Sequence, residues 1–293
     1  MISLKKILIT IILIVTIISL TGCSNNNDEN LKTKAISELD YLDSKIIGML
    51  NKLNNISFES YSIISEQVKL SPKDEKAKSE EKGRENSGNE SGGEKQEENK
   101  EKDSNIINST NMVANTELNK NRDDVNWDEL RTEIEQLDES WAIIVLDLYT
   151  LNATNNTILE FSEQINKVMK EIKVEDKQKS LEELAKLYSG IPKILQEINI
   201  DVNKQKIRQT QKYVIDAYVL TNDMTNEQIN TNITQAINAY SEIMNNIDYT
   251  KDKTEKINKI YVLLNELANS LTENDSDVFY IKYKNFMKEI EML

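Results

Sequence analysis

Apolar residues return at alternating steps of three and four along almost every segment of this chain outside residues 71–124. Such steps place the side chains on one stripe of an α-helix, and striped helices pack together at shallow crossing angles. An alternation of period two, which indicates a strand, is sustained nowhere. The pattern therefore predicts an all-α protein. The longest regular stripe follows Val125 and consists of Trp127, Leu130, Ile134, Leu137, Trp141, Ile144, Leu148 and Leu151.

Helix breakers are rare, with 7 Gly and 2 Pro in 293 residues, and four of the glycines lie within residues 83–93. The helices should therefore be long, joined by short polar turns and arranged as a bundle of antiparallel helices. An α-solenoid is the alternative, although no repeated unit of about 34 residues is found. We predict a first helix over residues 31–70, with a regular stripe at Ala35, Leu39, Leu42, Ile46, Met49 and Leu53.

The main bundle is predicted over residues 125–293, where capping side chains and breakers mark the helix boundaries. The stripe changes phase between Asn152 and Thr157, so either one helix shifts register there or two helices meet near Asn155. Gly190 and Pro192 are expected to divide another helix. The predicted capping pairs and caps are Asn126 with Glu129, Ser180 with Glu183, Thr225 with Gln228, and Asp275 or Ser276.

Residues 71–124 interrupt the helical pattern. From Ser71 to Asn105 there is no Ile, Leu, Val, Met or aromatic residue, and the stretch contains 11 acidic and 8 basic side chains. Such a segment buries too little apolar surface to offset the entropy lost on ordering. We therefore predict a disordered, low-complexity linker over 71–124, with residues 106–123 partly ordered.

The amino terminus has the features of an export signal. Lys5 and Lys6 precede an apolar run of 14 residues from Ile7 to Leu20, which is shorter than the 20 or so residues of a membrane-spanning helix. The run ends in Leu20-Thr21-Gly22-Cys23, and Cys23 is the only cysteine of the chain. These four residues match the lipobox, so the amino terminus resembles that of a bacterial lipoprotein.

The resemblance implies cleavage of a signal peptide at 1–22 and attachment of acyl chains such as palmitate to Cys23. A lipidated tether would follow at 23–30, and the protein would be held on the extracytoplasmic face of the cell membrane. Two or more acyl chains are enough for stable anchoring. The helical body also resembles uncharacterised helical lipoproteins of Gram-positive bacteria, a likeness that rests on no motif and implies no activity.

Composition excludes several functions. Cleavage after residue 22 removes two lysines and takes the net charge from −14 to −16, which makes nucleic acid an unfavourable partner. The chain has no histidine, so it lacks the side chain that most often serves as a general base or a metal ligand. Since its single cysteine is predicted to be acylated, neither a disulfide nor a Cys/His zinc site is expected. We predict no cofactor and no catalytic or metal-binding residue.

Several groups of residues fit a ligand site but are better explained by the helices. Asp124, Asn126, Asp128 and Glu135 have the spacing of calcium-loop positions 1, 3, 5 and 12, but Glu129 occupies the position that requires glycine. Asp275 and Asp277 match such a loop less well. We interpret these acids as helix caps and first-turn acids.

The other candidate side chains are aromatic or acidic. Trp127 and Trp141 could stack on sugars, but their stripe positions favour the core. Of the aromatic residues of the last helix, Tyr280 falls beside the stripe and is expected to be partly exposed. The remaining acids, for which a solvated helix face is the simpler interpretation, are Glu133, Glu135, Asp138 and Glu139.

Three functional hypotheses remain. The favoured one is a non-catalytic binding or scaffolding subunit of an envelope complex, anchored by lipid on Cys23 and bound to an unidentified envelope protein. The alternative is a receptor for a solute or a cell-wall polymer, which requires a cleft with convergent polar groups. The least favoured is a carboxylate-based hydrolase, because no pair of acids stands out.

Overall fold

The computed structural model describes residues 24–56, 117–245 and 249–293. Within these residues the chain is helical and contains no strand, which confirms the predicted all-α bundle. The helices are α1 (Ser24–Leu53), α2 (Trp127–Thr150), α3 (Asn155–Lys173), α4 (Lys177–Tyr188), α5 (Gly190–Glu197), α6 (Val202–Tyr218), α7 (Glu227–Met244), α8 (Lys251–Ser270) and α9 (Ser276–Ile290).

The chain divides into two compact units. One comprises residues 1–56 and 121–293, and the other comprises residues 57–120. In the described part of the second unit, Glu117–Asn119 forms a short 3-10 helix and Lys120 makes an ion pair of 3.3 Å with Glu117.

Consecutive helices pack side by side through the first unit, and α1 also packs against α4 while α6 packs against α9. These contacts between helices distant in sequence distinguish the bundle from a solenoid. The ion pairs of Lys34 with Asp147 and of Lys52 with Glu133, each 2.6 Å, join opposite ends of α1 and α2 and show that these two helices are antiparallel.

The first helix differs from the prediction at both ends. It begins at Ser24, so the residues expected to form a polar tether are its first turns. It ends at Leu53, because Asn55 adopts a left-handed conformation with φ of 51° that no helix continues through. The six predicted stripe residues of α1 are all buried. The expected extension beyond Ile56 to Leu70 falls outside the described residues, as does most of the linker predicted over 71–124.

The residues on either side of the second unit are joined by hydrogen bonds. The side-chain amide of Asn55 donates to the carbonyl oxygen of Asn121 at 3.1 Å, and Arg122 donates to the carbonyl of Asn54 at 3.1 Å. The bundle therefore includes residues 121–124, which the sequence assigned to the linker.

Two helices, not one, occupy residues 126–173. α2 ends at Thr150, Asn152 takes a φ of 66°, and the Thr154 side chain caps α3 by accepting from the amide of Thr157. The division at Gly190 is confirmed as well, since α4 ends at Tyr188 and α5 begins at Gly190.

The capping predictions succeed only in part. Asn126 and Asp275 cap α2 and α9 as expected. The prediction that Ser180 caps a helix is wrong, because Asp176 caps α4 and Ser180 lies fully buried inside that helix. The prediction that Thr225 caps α7 is also wrong, because the side chain of the neighbouring Asn226 accepts the hydrogen bond from the backbone amide of Gln228.

Candidate functional site

Cys23, the predicted lipidation site, lies outside the described residues. Within those residues, no helix combines the length and apolarity that crossing a membrane would require.

The residues with calcium-loop spacing are distributed over a helix start. Asn126 accepts a hydrogen bond from the Glu129 amide at 3.2 Å, and Asp128 pairs with Arg131 at 2.6 Å. Asp124 and Glu135 are exposed. Among the described residues there is no group of three or more acidic, histidine or cysteine side chains arranged to hold a metal ion.

The second acidic group is also used by the fold. Asp275 accepts hydrogen bonds from the amides of Asp277 and Val278, and Asp277 pairs with Arg122 at 3.1 Å. These contacts cap α9 and fix the chain where it re-enters the bundle.

The aromatic candidates are core residues, with one partial exception. Trp141 is buried against Phe161 with ring centroids 4.2 Å apart, and its indole nitrogen donates to Ser162 at 2.8 Å, so it offers no face to a sugar. Trp127 is half-buried. The expectation that Tyr280 is partly exposed is wrong, since it is only 6% exposed and accepts a hydrogen bond from Thr221.

A polar cluster that the sequence did not reveal joins α1, α4 and α6 inside the bundle. Arg208 pairs with Asp43 at 3.0 Å and with Asp40 at 2.8 Å, and it donates to the amide oxygen of Gln211 at 2.7 Å. Tyr188 donates to the same oxygen at 3.2 Å. The polar side chains of this cluster hold the first helix against the centre of the bundle.

The pKa values of the two carboxyl groups in the cluster are shifted in opposite directions. Burial raises the pKa of Asp43, although Arg208 opposes this shift. Burial also opposes ionisation of Asp40, but hydrogen bonds from Lys204 and Arg208 outweigh it and lower the pKa of that carboxyl. Four buried polar atoms in and beside the cluster have no hydrogen-bond partner among the described residues: Asp43 Oδ1, Arg208 Nε, Gln211 Nε2 and the Tyr283 hydroxyl. Asp43, Tyr188 and Gln211 are each no more than 1% exposed, so the centre of the cluster belongs to the core rather than to a substrate cleft.

The outer face of α2 exposes apolar side chains to solvent. Three large apolar side chains lie on successive turns of this face, although the opposite face of the helix is buried. They are Ile143 (66% exposed), Leu146 (70%) and Tyr149 (43%).

The amino-terminal half of the same face is acidic. Steps of three and four along the helix place Glu135 and Glu139 in line with Ile143 and Leu146, and Asp138 lies beside them. From Thr132 to Thr150 there is no Lys or Arg. The α2 face, defined as Glu135, Asp138, Glu139, Ile143, Leu146 and Tyr149, is therefore acidic at one end and apolar at the other.

A shallow depression of about 310 Å³ borders this face between α1 and α2. Tyr41 of α1, which is 43% exposed, and Ile143 of α2 form two of its walls. Lys34, at its edge, is held by Asp147. The depression offers an apolar recess beside the exposed apolar residues.

Of the acids singled out in the sequence, Glu133 is engaged by Lys52, whereas Glu135, Asp138 and Glu139 are solvent-exposed and make no ion pair within the described part of the chain. The reading of a solvated face is therefore correct for these three. What the sequence did not show is that the same face continues into exposed aliphatic residues. The signal for this was available, since Ile143 and Leu146 lie off the stripe.

Comparison with known proteins identifies no relative. No family model matches the chain, and neither a curated protein nor a solved structure matches it. The fold and its surfaces define an all-α bundle with an exposed acidic and apolar helix face.

Proposed function

We propose that this protein is a lipoprotein anchored to the extracytoplasmic face of the cell membrane by lipid on Cys23. Its helical bundle acts as a non-catalytic binding subunit that recruits a protein of the cell envelope. The lipobox at residues 20–23 supports the anchor, and the absence of histidine supports a non-catalytic role.

The exposed apolar end of the α2 face carries the binding part of the proposal. Single exposed apolar residues are common on protein surfaces, whereas contiguous ones mark interaction sites. Ile143 and Leu146 lie one turn apart and are each more than 60% exposed. Their placement beside the recess at Tyr41 fits the arrangement of an interface, in which apolar anchors enter a pocket within a polar rim.

The acidic end of the face indicates the chemistry of the partner. Glu135, Asp138 and Glu139 have no cationic neighbour paired with them in the described structure, so a basic segment would complement them. An amphipathic helix with basic residues at one end and apolar residues at the other fits the whole face. At 1.5 Å per residue, residues 135–149 span about 21 Å, or four turns of such a helix.

Two other occupants fit less well. A second copy of α2 packed in antiparallel fashion would set acids against apolar residues, and a parallel copy would set acids against acids. A membrane surface is disfavoured because the anionic headgroups would repel the three carboxylates. A protein segment with positive charge is the occupant that satisfies both halves of the face.

Photo-crosslinking in cells tests this function. A photoreactive amino acid replaces Leu146 in the full-length chain, and mass spectrometry identifies the crosslinked segment. We expect one envelope protein, captured through a helical segment rich in Lys or Arg and aliphatic residues. A Cys23→Ala strain should lose both the crosslink and the incorporation of an alkyne analogue of palmitate.

Two matched variants distinguish loss of binding at the α2 face from a general effect of added negative charge on the surface. Leu146→Glu should abolish recovery of the partner by affinity purification, whereas Val262→Glu, at a 56% exposed apolar position on α8, should leave it unchanged. Equal recovery with both variants would contradict the proposed surface. A crosslink to a second copy of the chain, or to an acidic segment, would also count against the proposal.

A further inference from the structure

A second surface, formed by α5, α6 and α7, has a different chemistry. A groove of about 490 Å³ runs between these helices and is lined largely by carboxamides. Its volume falls within the range of small-molecule clefts. Five carboxamide side chains and one aromatic ring contribute to it: Gln196, Gln205, Gln209, Gln235, Asn238 and Tyr213.

The groove concentrates carboxamide side chains, and most of them make no hydrogen bond within the described residues. Four of the eleven glutamines of the chain line it. Gln205 donates to the Ile200 carbonyl at 2.6 Å, which leaves its oxygen available. The side chains of Gln196, Gln209, Gln235 and Asn238 make no hydrogen bond to any described residue. Each of these amides offers two donor hydrogens and an acceptor oxygen to a ligand.

The groove has no net charge. Lys206 and Glu242, the charged residues among its lining, pair with each other at 2.5 Å. The groove is therefore neutral although the chain as a whole has a net charge of −14. A strongly anionic or cationic ligand would find no uncompensated partner here, so the groove suits a neutral ligand.

The ring of Tyr213 supplies apolar surface. It is half-buried, and the ammonium of Lys212 lies over it at 4.6 Å from the centroid. Lys212 is in turn held by Asp216 at 2.6 Å. The other apolar members of the lining, Pro192 and Ala239, are small. The groove therefore lacks the side-chain pockets by which a peptide is usually recognised.

We infer that this groove binds a neutral, polyhydroxylated ligand of the oligosaccharide class. Each sugar hydroxyl both donates and accepts hydrogen bonds, as each carboxamide does, and the C–H face of a sugar ring packs against an aromatic ring. This inference goes beyond the proposed function, because it concerns helices other than α2 and a ligand other than a protein.

Titration calorimetry on the full-length lipoprotein in neutral detergent micelles tests the inference. The probes are chitotetraose, maltotetraose and their monosaccharides, with a neutral tetrapeptide of Gly, Ser and Asn as the rival ligand. We expect heat of binding from at least one saccharide and none from the peptide. Tighter binding of the tetrasaccharide than of its monosaccharide would identify a glycan polymer as the source. Equal binding would identify a free sugar.

Substitutions locate the binding. Gln209→Ala combined with Gln235→Ala should weaken the affinity for the saccharide about thirtyfold, because the two lost neutral hydrogen bonds contribute about 1 kcal/mol each and about 1.4 kcal/mol corresponds to a factor of ten. Gln136→Ala, at an exposed glutamine on α2, is the matched control and should bind as the unmodified protein does.

Three results would overturn the inference. The first is binding of the peptide in place of a saccharide, and the second is saccharide binding that the double substitution leaves unchanged. The third is the absence of heat from every saccharide at concentrations up to about 10 mM, since a ligand that binds only above this concentration interacts very weakly. None of these results bears on the photo-crosslink at Leu146, so failure here is distinct from failure of the proposed protein-binding function.

Discussion

Asp43 of α1 and Arg208 of α6 form an ion pair of 3.0 Å in the interior of the bundle, where Asp43 is 1% exposed and Arg208 is 9% exposed. α1 begins at Ser24, at the amino-terminal end of the bundle, so this pair links the first helix to the centre of the fold. The link is reinforced where Tyr218 of α6 donates to the carbonyl oxygen of Leu50 at 2.9 Å.

Removal of one partner of this pair should destabilise the protein strongly. We expect Arg208→Ala to lower the free energy of unfolding by about 3–5 kcal/mol, because it leaves a buried carboxylate without its counter-charge. Lys34→Ala, which removes an ion pair whose lysine is largely exposed, should cost no more than about 1 kcal/mol. Urea denaturation followed by circular dichroism gives both values. Equal losses for the two variants would show that the buried ion pair of Asp43 contributes no more to stability than the exposed pair of Lys34.

Stability should decrease as the pH rises from 4.5 to 7. Burial raises the pKa of Glu291 to about 7, with a further contribution from Asp43, whereas the ordinary value is 4.5. The folded protein therefore holds a proton in this window that the unfolded chain has released, and stability is lost as the pH rises through it. The raised pKa of Asp43 acts in the same direction. Asp40, with its lowered pKa, acts oppositely, and only below its ordinary value of 3.8.

Glu291→Gln should reduce this slope without removing it, because Asp43 still contributes. Glu291 lies near the carboxyl terminus and is exposed by its solvent-accessible surface, so solvent screens the effect and we expect a shallow slope. Urea midpoints measured at several pH values for both proteins provide the comparison. A slope that is identical in the two proteins would place the responsible groups elsewhere.

Two glycines in helices should respond to alanine in opposite directions. A Cβ added at Gly190 would lie 2.5 Å from Cδ2 of Phe161, a side chain packed in the core, and Gly190→Ala should cost about 1–3 kcal/mol through overpacking. A Cβ at Gly48 meets nothing within 4 Å, and Gly48→Ala should stabilise α1 by about 0.5–1 kcal/mol. Thermal denaturation of the two variants tests the pair, and a gain in stability at Gly190 would refute the predicted clash.

Neighbouring isoleucines of α2 should differ sharply in their contribution to stability. Ile144 is 2% exposed, and Ile144→Ala should cost about 2–5 kcal/mol. Ile143 is 66% exposed, and Ile143→Ala should change stability by no more than about 0.5 kcal/mol. Denaturant unfolding checks both. A large loss at Ile143 would mean that this residue serves the fold and would remove it from the candidate interface.

Sequence periodicity predicted which residues of each helix face the core, since the stripe residues of α1 and most of those of α2 are buried. It did not choose between competing caps. Asp176 and Ser180 lie one turn apart and both carry an oxygen suited to capping. The left-handed conformation of Glu175, with φ of 61°, starts α4 at the earlier position.

The buried polar cluster could not be predicted, because the stripe rule assigns polar residues to the solvent. Arg208 and Gln211 lie one turn apart on α6, and nothing in their local sequence distinguishes them from the exposed residues around them. Their burial depends on α1, a helix far from α6 in sequence, whose Asp40 and Asp43 pair with Arg208.

The sequence by itself determined the helical class of the fold and most of the apolar residues that line the core, because both depend on spacing within one segment. The tertiary structure decided that α1 belongs to the bundle, that Asp43 meets Arg208, and that α2 leaves Ile143 and Leu146 exposed beside an acidic surface. These features arise from contacts between segments, and the chain must pack before the burial and the electrostatic environment of any side chain are defined.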